Sequence, residues 1–199
     1  MKHKLRAEIS AQVKALSPDY CRRADAGIIA AILDSPLYRE ASTIFAYAGT
    51  QREIQTMPLL EQILTDGKVL ALPLCTPAPG IMEARQIRRL EDLAAGKYGI
   101  LAPKEDCPLI PPAALTLALV PCCSGNRRGQ RLGYGGGYYD RFLPQTCCPK
   151  LLLCREQLTR DPIPTDPHDL TMDYLVTENG IFPCNEGESP AATAAGRPL

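Results

Sequence analysis

The chain has 199 residues, enough to bury a full core in one domain, and its 22 basic and 22 acidic side chains leave a formal net charge of zero. That balance argues against a dedicated nucleic-acid binder, and no apolar run approaches the length of a membrane span. The polar N-terminus has no apolar signal-peptide stretch, so a soluble cytoplasmic protein is expected.

Leu5, Ile9, Val13 and Leu16 recur at helical spacing between charged residues and predict an amphipathic helix over Met1–Ala15. Ser17-Pro18-Asp19 reads as a capped start for a second helix running to about Leu33, which Asp34-Ser35-Pro36 ends. A buried strand at Ala41–Tyr47, a loop at Gly49–Glu53, a helix at Thr56–Thr65 and a strand at Lys68–Pro73 follow. Thr76–Gly80 is a turn, Ile81–Ile87 a strand and Leu90–Leu93 a helical turn, while Lys97–Pro103 and the proline-rich stretch 107–112 read as loop. The β-branched run Leu115–Pro121 is a buried strand leading through a polar loop into a glycine cluster and a helix opening at Tyr138. Lys150–Cys154 is another strand, Glu156–Arg160 a turn, Thr165–Asp169 a polar loop and Tyr174–Thr177 the last strand. Residues 1–184 read as one domain, and the small, polar, proline-bearing stretch 185–199 as a disordered tail. Strands alternating with helices imply an α/β layered fold around a largely parallel sheet, with ligands beyond the carboxyl ends of strands.

Nine cysteines suggest disulfides or zinc, but the chain has no CxxC, and adjacent pairs such as Cys122-Cys123 chelate poorly. Reduced structural thiols are expected.

The stretch Arg131–Arg141, RLGYGGGYYDR, carries the chemistry. Gly133, Gly135, Gly136 and Gly137 strip side chains from one turn, so a ligand can touch backbone N–H groups, and a helix starting at Tyr138 adds its positive end. Arg131 and Arg141 bracket the turn with fixed charge suited to phosphate. The spacing fits neither a dinucleotide fingerprint, which would want glycine at Tyr138, nor a P-loop. From these residues alone, a nucleotide-phosphate cradle stands beside a plain glycine-rich turn.

The same stretch, after a strand ending Val120-Pro121, resembles the signature of the 5-formyltetrahydrofolate cyclo-ligase family. Further landmarks of that family follow in order: Lys2-x-x-Leu5-Arg6, Tyr47 through Glu53-Ile54-Gln55-Thr56, Gly67-Lys68 before Leu72-Pro73, the Lys97–Ile100 turn, and Gln157–Pro164 with His168-Asp169 and Thr177-Glu178. The resemblance implies a three-layer α/β/α sandwich with a mixed sheet, similar to the NagB/RpiA/CoA-transferase fold. It also implies a monomeric enzyme that closes 5-formyltetrahydrofolate with MgATP and uses no protein nucleophile. By the same resemblance Lys2, Arg6, Arg131, Leu132, Gly133, Tyr134, Gly135, Gly136, Gly137, Tyr138 and Tyr139 fall on ATP-binding positions. Ala48 and Glu53 match substrate contacts, with Tyr134–Tyr138 also against the folate; Asp140 and Asp169 match Mg²⁺ ligands; Arg131, Tyr138 and Asp140 match the catalytic positions.

The sequence also departs from that pattern. Gly125-Asn126 replaces a phenylalanine–aspartate pair, Gly136 a lysine of some members, Ala102 a glutamate and Cys154 an aromatic. Two other readings remain at this stage. One is a sugar-phosphate isomerase or CoA-transferase-like enzyme of the same fold. The other is a non-catalytic nucleotide- or RNA-binding module using Arg127, Arg128, Arg131 and Tyr134, against which the carboxylates Glu53, Asp140 and Asp169 speak.

Overall fold

A computed structural model describes residues 1–96, 99–167 and 169–184. The first third holds helices α1 (Lys2–Ala15), α2 (Pro18–Asp34), the short α3 (Pro36–Glu40) and α4 (Met57–Thr65), with strand β1 (Thr43–Phe45) between the last two. Next come β2 (Val69–Cys75), β3 (Met82–Ile87), β4 (Leu93–Ala95), β5 (Leu101–Pro103), β6 (Leu109–Ile110), β7 (Leu117–Pro121), β8 (Ser124–Gly125) and β9 (Arg131–Leu132). Helix α5 (Tyr138–Phe142) precedes β10 (Lys150–Leu153), β11 (Tyr174–Thr177) and β12 (Gly180–Pro183).

Eight described strands form one sheet in the order β12-β11-β10-β7-β1-β2-β3-β6. The five central strands are parallel; β12 pairs antiparallel with β11 at one edge, and at the other β3 pairs antiparallel with β2 and β6 antiparallel with β3. Period-two alternation sorts the side chains. Ile44, Leu70, Leu72, Leu117, Leu119, Leu151 and Val176 pack with Ile28 and Ile32 of α2, Tyr38 of α3 and Leu59, Leu60 and Ile63 of α4. Their neighbours Phe45, Ala71, Ala118, Val120, Leu152 and Leu175 pack on the opposite face with Ile9 of α1 and Phe142 of α5. Helices on both faces make the three-layer α/β/α arrangement expected.

Local chemistry sets the helix starts. The Ser17 hydroxyl accepts the Tyr20 N–H at 3.1 Å, with Pro18 in the first turn. Ser35 repeats the device for α3, accepting the Tyr38 N–H at 3.1 Å. Such caps contribute about 1 kcal/mol each.

Four short elements replace expected loops. Residues read as loop at Leu101–Pro103 pair with β4 as a hairpin, and Leu109-Ile110 forms an edge strand on β3. Flanking Pro108 and Pro111 cannot donate ladder hydrogen bonds, which confines that strand to the edge. The polar loop after β7 holds the β8–β9 hairpin, and β12 returns antiparallel on β11 beyond the expected last strand. The tail over 185–199, Lys97-Tyr98 and His168 lie outside the described residues.

Candidate functional site

Parallel neighbours β1 and β7 aim their carboxyl ends the same way, so the loops that leave them meet. Between them lies a cleft of about 660 Å³. Tyr47, Ala48, Thr50 and Glu53 line it from the loop after β1, and Gly133 through Asp140 from the glycine stretch. Helix α1 buries Ile9 against the sheet, which carries Lys2 and Arg6, on its first turns, to the cleft rim. Both side chains therefore line the cleft, where an amphipathic helical pattern alone would leave them on a solvated face.

Two arginines tie the carbonyls of the glycine stretch: Arg6 Nε donates to Gly133 O at 2.7 Å, and Arg141 Nη1 to Gly136 O at 3.0 Å. The N–H groups of Gly133 through Tyr138 donate to no acceptor among the described residues. A row of unpaired N–H groups along a cleft, with cations beside it, is an anion cradle. Gly135 and Gly137 have φ of +100° and +67°, which only glycine adopts at little cost. The helix that follows is only the five residues of α5, so the bent backbone rather than a long helix dipole makes the cradle.

Arg131 lies beneath this loop with its side chain 5 % exposed. Its Nη2 donates to both Asp140 carboxylate oxygens, at 3.1 and 3.0 Å, and its Nη1 to Pro121 O at 3.1 Å. The guanidinium also stands 5.5 Å from the Tyr139 ring centre. Lys2 bridges Asp166, at 2.6 Å, and Asp169. Burial alone would lower the Lys2 ammonium, but hydrogen bonds to these two carboxylates outweigh it and hold the pKa above its ordinary value.

Glu53 is the anionic pole of the other wall. Its Oε2 accepts the Thr50 N–H at 2.9 Å. Burial raises the Tyr47 and Tyr139 phenols well above their usual range, and the Glu53 charge adds to both shifts. Both phenols stay protonated at neutral pH. Cys122 stands against the Cys154 thiol, which together with burial raises it well above the usual thiol value. Burial likewise pushes Cys123 up to about 11. Thiols in that state are poor nucleophiles.

Fourteen of the fifteen sequence-derived site positions line this one cleft. Leu132 does not: the β9 alternation turns its side chain into the core, fully buried, and its carbonyl accepts the Cys123 N–H at 2.7 Å. Sequence reasoning missed Asp166, Arg52 and the apolar wall of Cys75, Met82 and Leu101. Asp166 was the findable one, three residues before Asp169 in the same polar loop.

Mg²⁺ carried by a nucleotide takes only one or two carboxylates from a protein, the rest being phosphate oxygens and water. Asp140 and Asp169, 22 % and 15 % exposed on the same cleft, suit that demand. Among the described residues no group of three or more metal-ligating side chains could hold an ion unaided. Asn126, where the family pattern has aspartate, does not reach the cleft. It organises the β8–β9 turn, donating to Gln130 Oε1 at 2.7 Å and accepting the Arg128 and Gln130 N–H groups, each at 3.1 Å.

Known proteins resemble the chain along most of its length. The Arabidopsis thaliana protein named mitochondrial 5-formyltetrahydrofolate cyclo-ligase is 28 % identical over 92 % of this chain and 76 % of its own. A 5-formyltetrahydrofolate cyclo-ligase of Mycolicibacterium smegmatis is 31 % identical over 68 % of this chain and 73 % of its own. The solved structure of Aquifex aeolicus 5,10-methenyltetrahydrofolate synthetase superposes with a TM-score of 0.83 at 24 % identity, covering 98 % of this chain and 99 % of that one, and shares the fold. The sequence model of the 5-formyltetrahydrofolate cyclo-ligase family matches residues 1–178, so the chain belongs to that family.

Proposed function

We propose that the chain converts 5-formyltetrahydrofolate and ATP to 5,10-methenyltetrahydrofolate, ADP and phosphate. The observation that carries this reading is the pairing, across one cleft, of a backbone anion cradle with an apolar wall that ends in Glu53. A triphosphate suits the first and a pterin the second.

The chemistry explains the division. A formamide carbon is a poor electrophile and its oxygen a poor leaving group. Attack by the formyl oxygen on the γ-phosphorus forms an O–P bond and releases ADP. N10 then adds to the activated carbon, gives up its proton, and the C–O bond breaks as phosphate leaves. Such transfer needs in-line placement and charge neutralisation, and no covalent protein intermediate.

The N–H groups of Gly133 through Tyr138 would hold the phosphates. Arg131 and Arg6 supply fixed charge, and the Lys2 ammonium, with two of its three donors on Asp166 and Asp169, keeps one for a phosphate oxygen. Mg²⁺ accompanying the nucleotide would be held by Asp140 and Asp169 and would offset phosphate charge when bound. Glu53 is suited to accept hydrogen bonds from the pterin, with Ala48 beside it leaving room for the ring. Tyr138 and Tyr139, half-buried at the loop, would close the junction of the two halves and exclude water.

The test mixes purified protein, MgATP and 5-formyltetrahydrofolate and follows methenyl absorbance and ADP together, with Asp140→Asn alongside. Equal methenyl and ADP formation, lost in the variant, is expected. ATP binding without methenyl product would reject the folate assignment and keep the cradle.

A further inference from the structure

The loop carrying Glu53 is held from outside the cleft by a buried ion pair that joins residues 130 positions apart. Arg155, just beyond β10, and Asp25, in the middle of α2, have side chains 4 % and 8 % exposed. Arg155 Nε donates to Asp25 Oδ1 at 2.7 Å and Nη2 to Oδ2 at 2.9 Å, a two-pronged fit that fixes both planes. Two further hydrogen bonds of the pair go to one place. Arg155 Nη2 also donates to Glu53 O at 2.8 Å, and Asp25 Oδ2 accepts the Gln55 N–H at 3.0 Å. The two contacts grip the backbone on either side of Ile54, whose side chain is 4 % exposed in the core. Inside the loop, Glu53 Oε2 holds the Thr50 N–H, and the Thr56 hydroxyl bridges Tyr47 O, at 2.5 Å, and the Gly49 N–H, at 2.9 Å. Glu53 therefore has one backbone position and one side-chain direction.

Stability alone is a weak reason for such a pair, because burying two charges costs about as much as their attraction returns, and apolar replacements are often neutral or better. The pair is specific in what it grips. We propose that Asp25 and Arg155 are positioning residues for the folate half of the cleft: they set Glu53 against the substrate ring and do not contribute to holding the nucleotide. The proposal rests on the cyclo-ligase reading above. Neither residue lines the cleft, so each acts through the Glu53–Gln55 backbone. The nucleotide cradle hangs instead on Arg6, Arg131 and Arg141, none of which touches the pair.

Removing one partner leaves a buried charge and endangers folding, so the decisive variant is Asp25→Leu/Arg155→Met, which removes both charges and keeps bulk. With thermal unfolding still cooperative, the KM for 5-formyltetrahydrofolate should rise about 10- to 100-fold while that for MgATP stays within about twofold, as expected for displacement of one binding group by a fraction of an ångström to one ångström. Unchanged folate KM with a lowered melting temperature would reduce the pair to a structural bridge and overturn the proposal. Equal rises in both KM values would overturn it too, since the pair would then support the whole cleft. Amide exchange gives a readout independent of turnover. In the double variant the Gln55 amide should exchange faster while β1 and β7 amides keep their protection; uniform acceleration would reject local positioning. Should the wild-type protein form no methenyl product, the cyclo-ligase reading falls, and this exchange pattern alone decides whether the pair positions the loop.

Discussion

Gly135→Ala is the sharpest perturbation of the phosphate cradle, because geometry separates its two effects. A Cβ there would meet its nearest neighbours, the Arg6 guanidinium atoms, at 3.6 to 3.8 Å, an ordinary contact with no clash. The backbone is the difficulty: φ is +100°, outside even the left-handed basin that other residues occasionally use. Holding alanine in such a region costs about 1–3 kcal/mol. The loop is exposed and anchored by side chains, so relaxing φ towards negative values relieves this strain more easily than unfolding does. Relaxation rotates the peptides whose N–H groups are proposed to hold the phosphates. The expected result is a melting temperature within a few degrees of wild type and an ATP affinity weaker by about 10- to 100-fold, the equivalent of 1.4–2.8 kcal/mol. Calorimetric titration with MgATP, alongside thermal unfolding without ligand, reads both. Unaltered ATP affinity with a large loss of stability would refute the reasoning, since the loop would then be rigid and its N–H groups not the binding element.

Two further predictions concern stability. Asn126→Asp, which restores the family's usual residue, should destabilise the protein by about 1–3 kcal/mol, because the Asn126 Nδ2 now donates to Gln130 and Asp161 and the carboxylate oxygen that replaces it would face those two acceptors without a donor. Urea unfolding checks it, and a variant as stable as wild type would show that the hairpin tolerates the charge. Burial pushes the Cys123 and Cys184 thiols up to about 11 from 9.0, so the folded chain holds those protons more tightly than the unfolded chain does. Their stabilising contribution is complete below pH 9 and is lost as pH rises through 11. The urea midpoint should therefore fall between pH 8.5 and pH 10.5, whereas a rise over that interval would contradict the sign.

The central architecture was legible because its strands are unbroken apolar runs: Leu117–Pro121 and Lys150–Leu153 admit no amphipathic helix and are bounded by turn residues. The Ser17-Pro18 start of α2 was equally plain, since the residues that mark it are those that make the cap. Two-residue pairings such as β8–β9 lack any periodicity to read. Their register comes from Asn126 folding the turn and from Gly125, where a Cβ would fall 2.4 Å from Leu152 Cδ2. Within the site, the glycine stretch announced a backbone cradle, but Lys2 and Arg6 were legible only through family likeness, since their charge pattern is that of any solvated helix. The Asp25–Arg155 pair was unreadable. Nothing in a single sequence couples a helix aspartate to an arginine 130 residues away, although an arginine two residues beyond a largely buried strand is a signal worth following.

The most direct measurement of the proposed reaction is the fate of the formyl oxygen. 5-Formyltetrahydrofolate carrying ¹⁸O in the formyl group would be turned over with MgATP in ordinary water and the released phosphate examined by mass spectrometry. Phosphorylation of that oxygen predicts one ¹⁸O in each phosphate formed, with ADP and methenyl product in equal amounts. Unlabelled phosphate, with ¹⁸O appearing in water, would mean that ATP is hydrolysed apart from the substrate, and would contradict the mechanism.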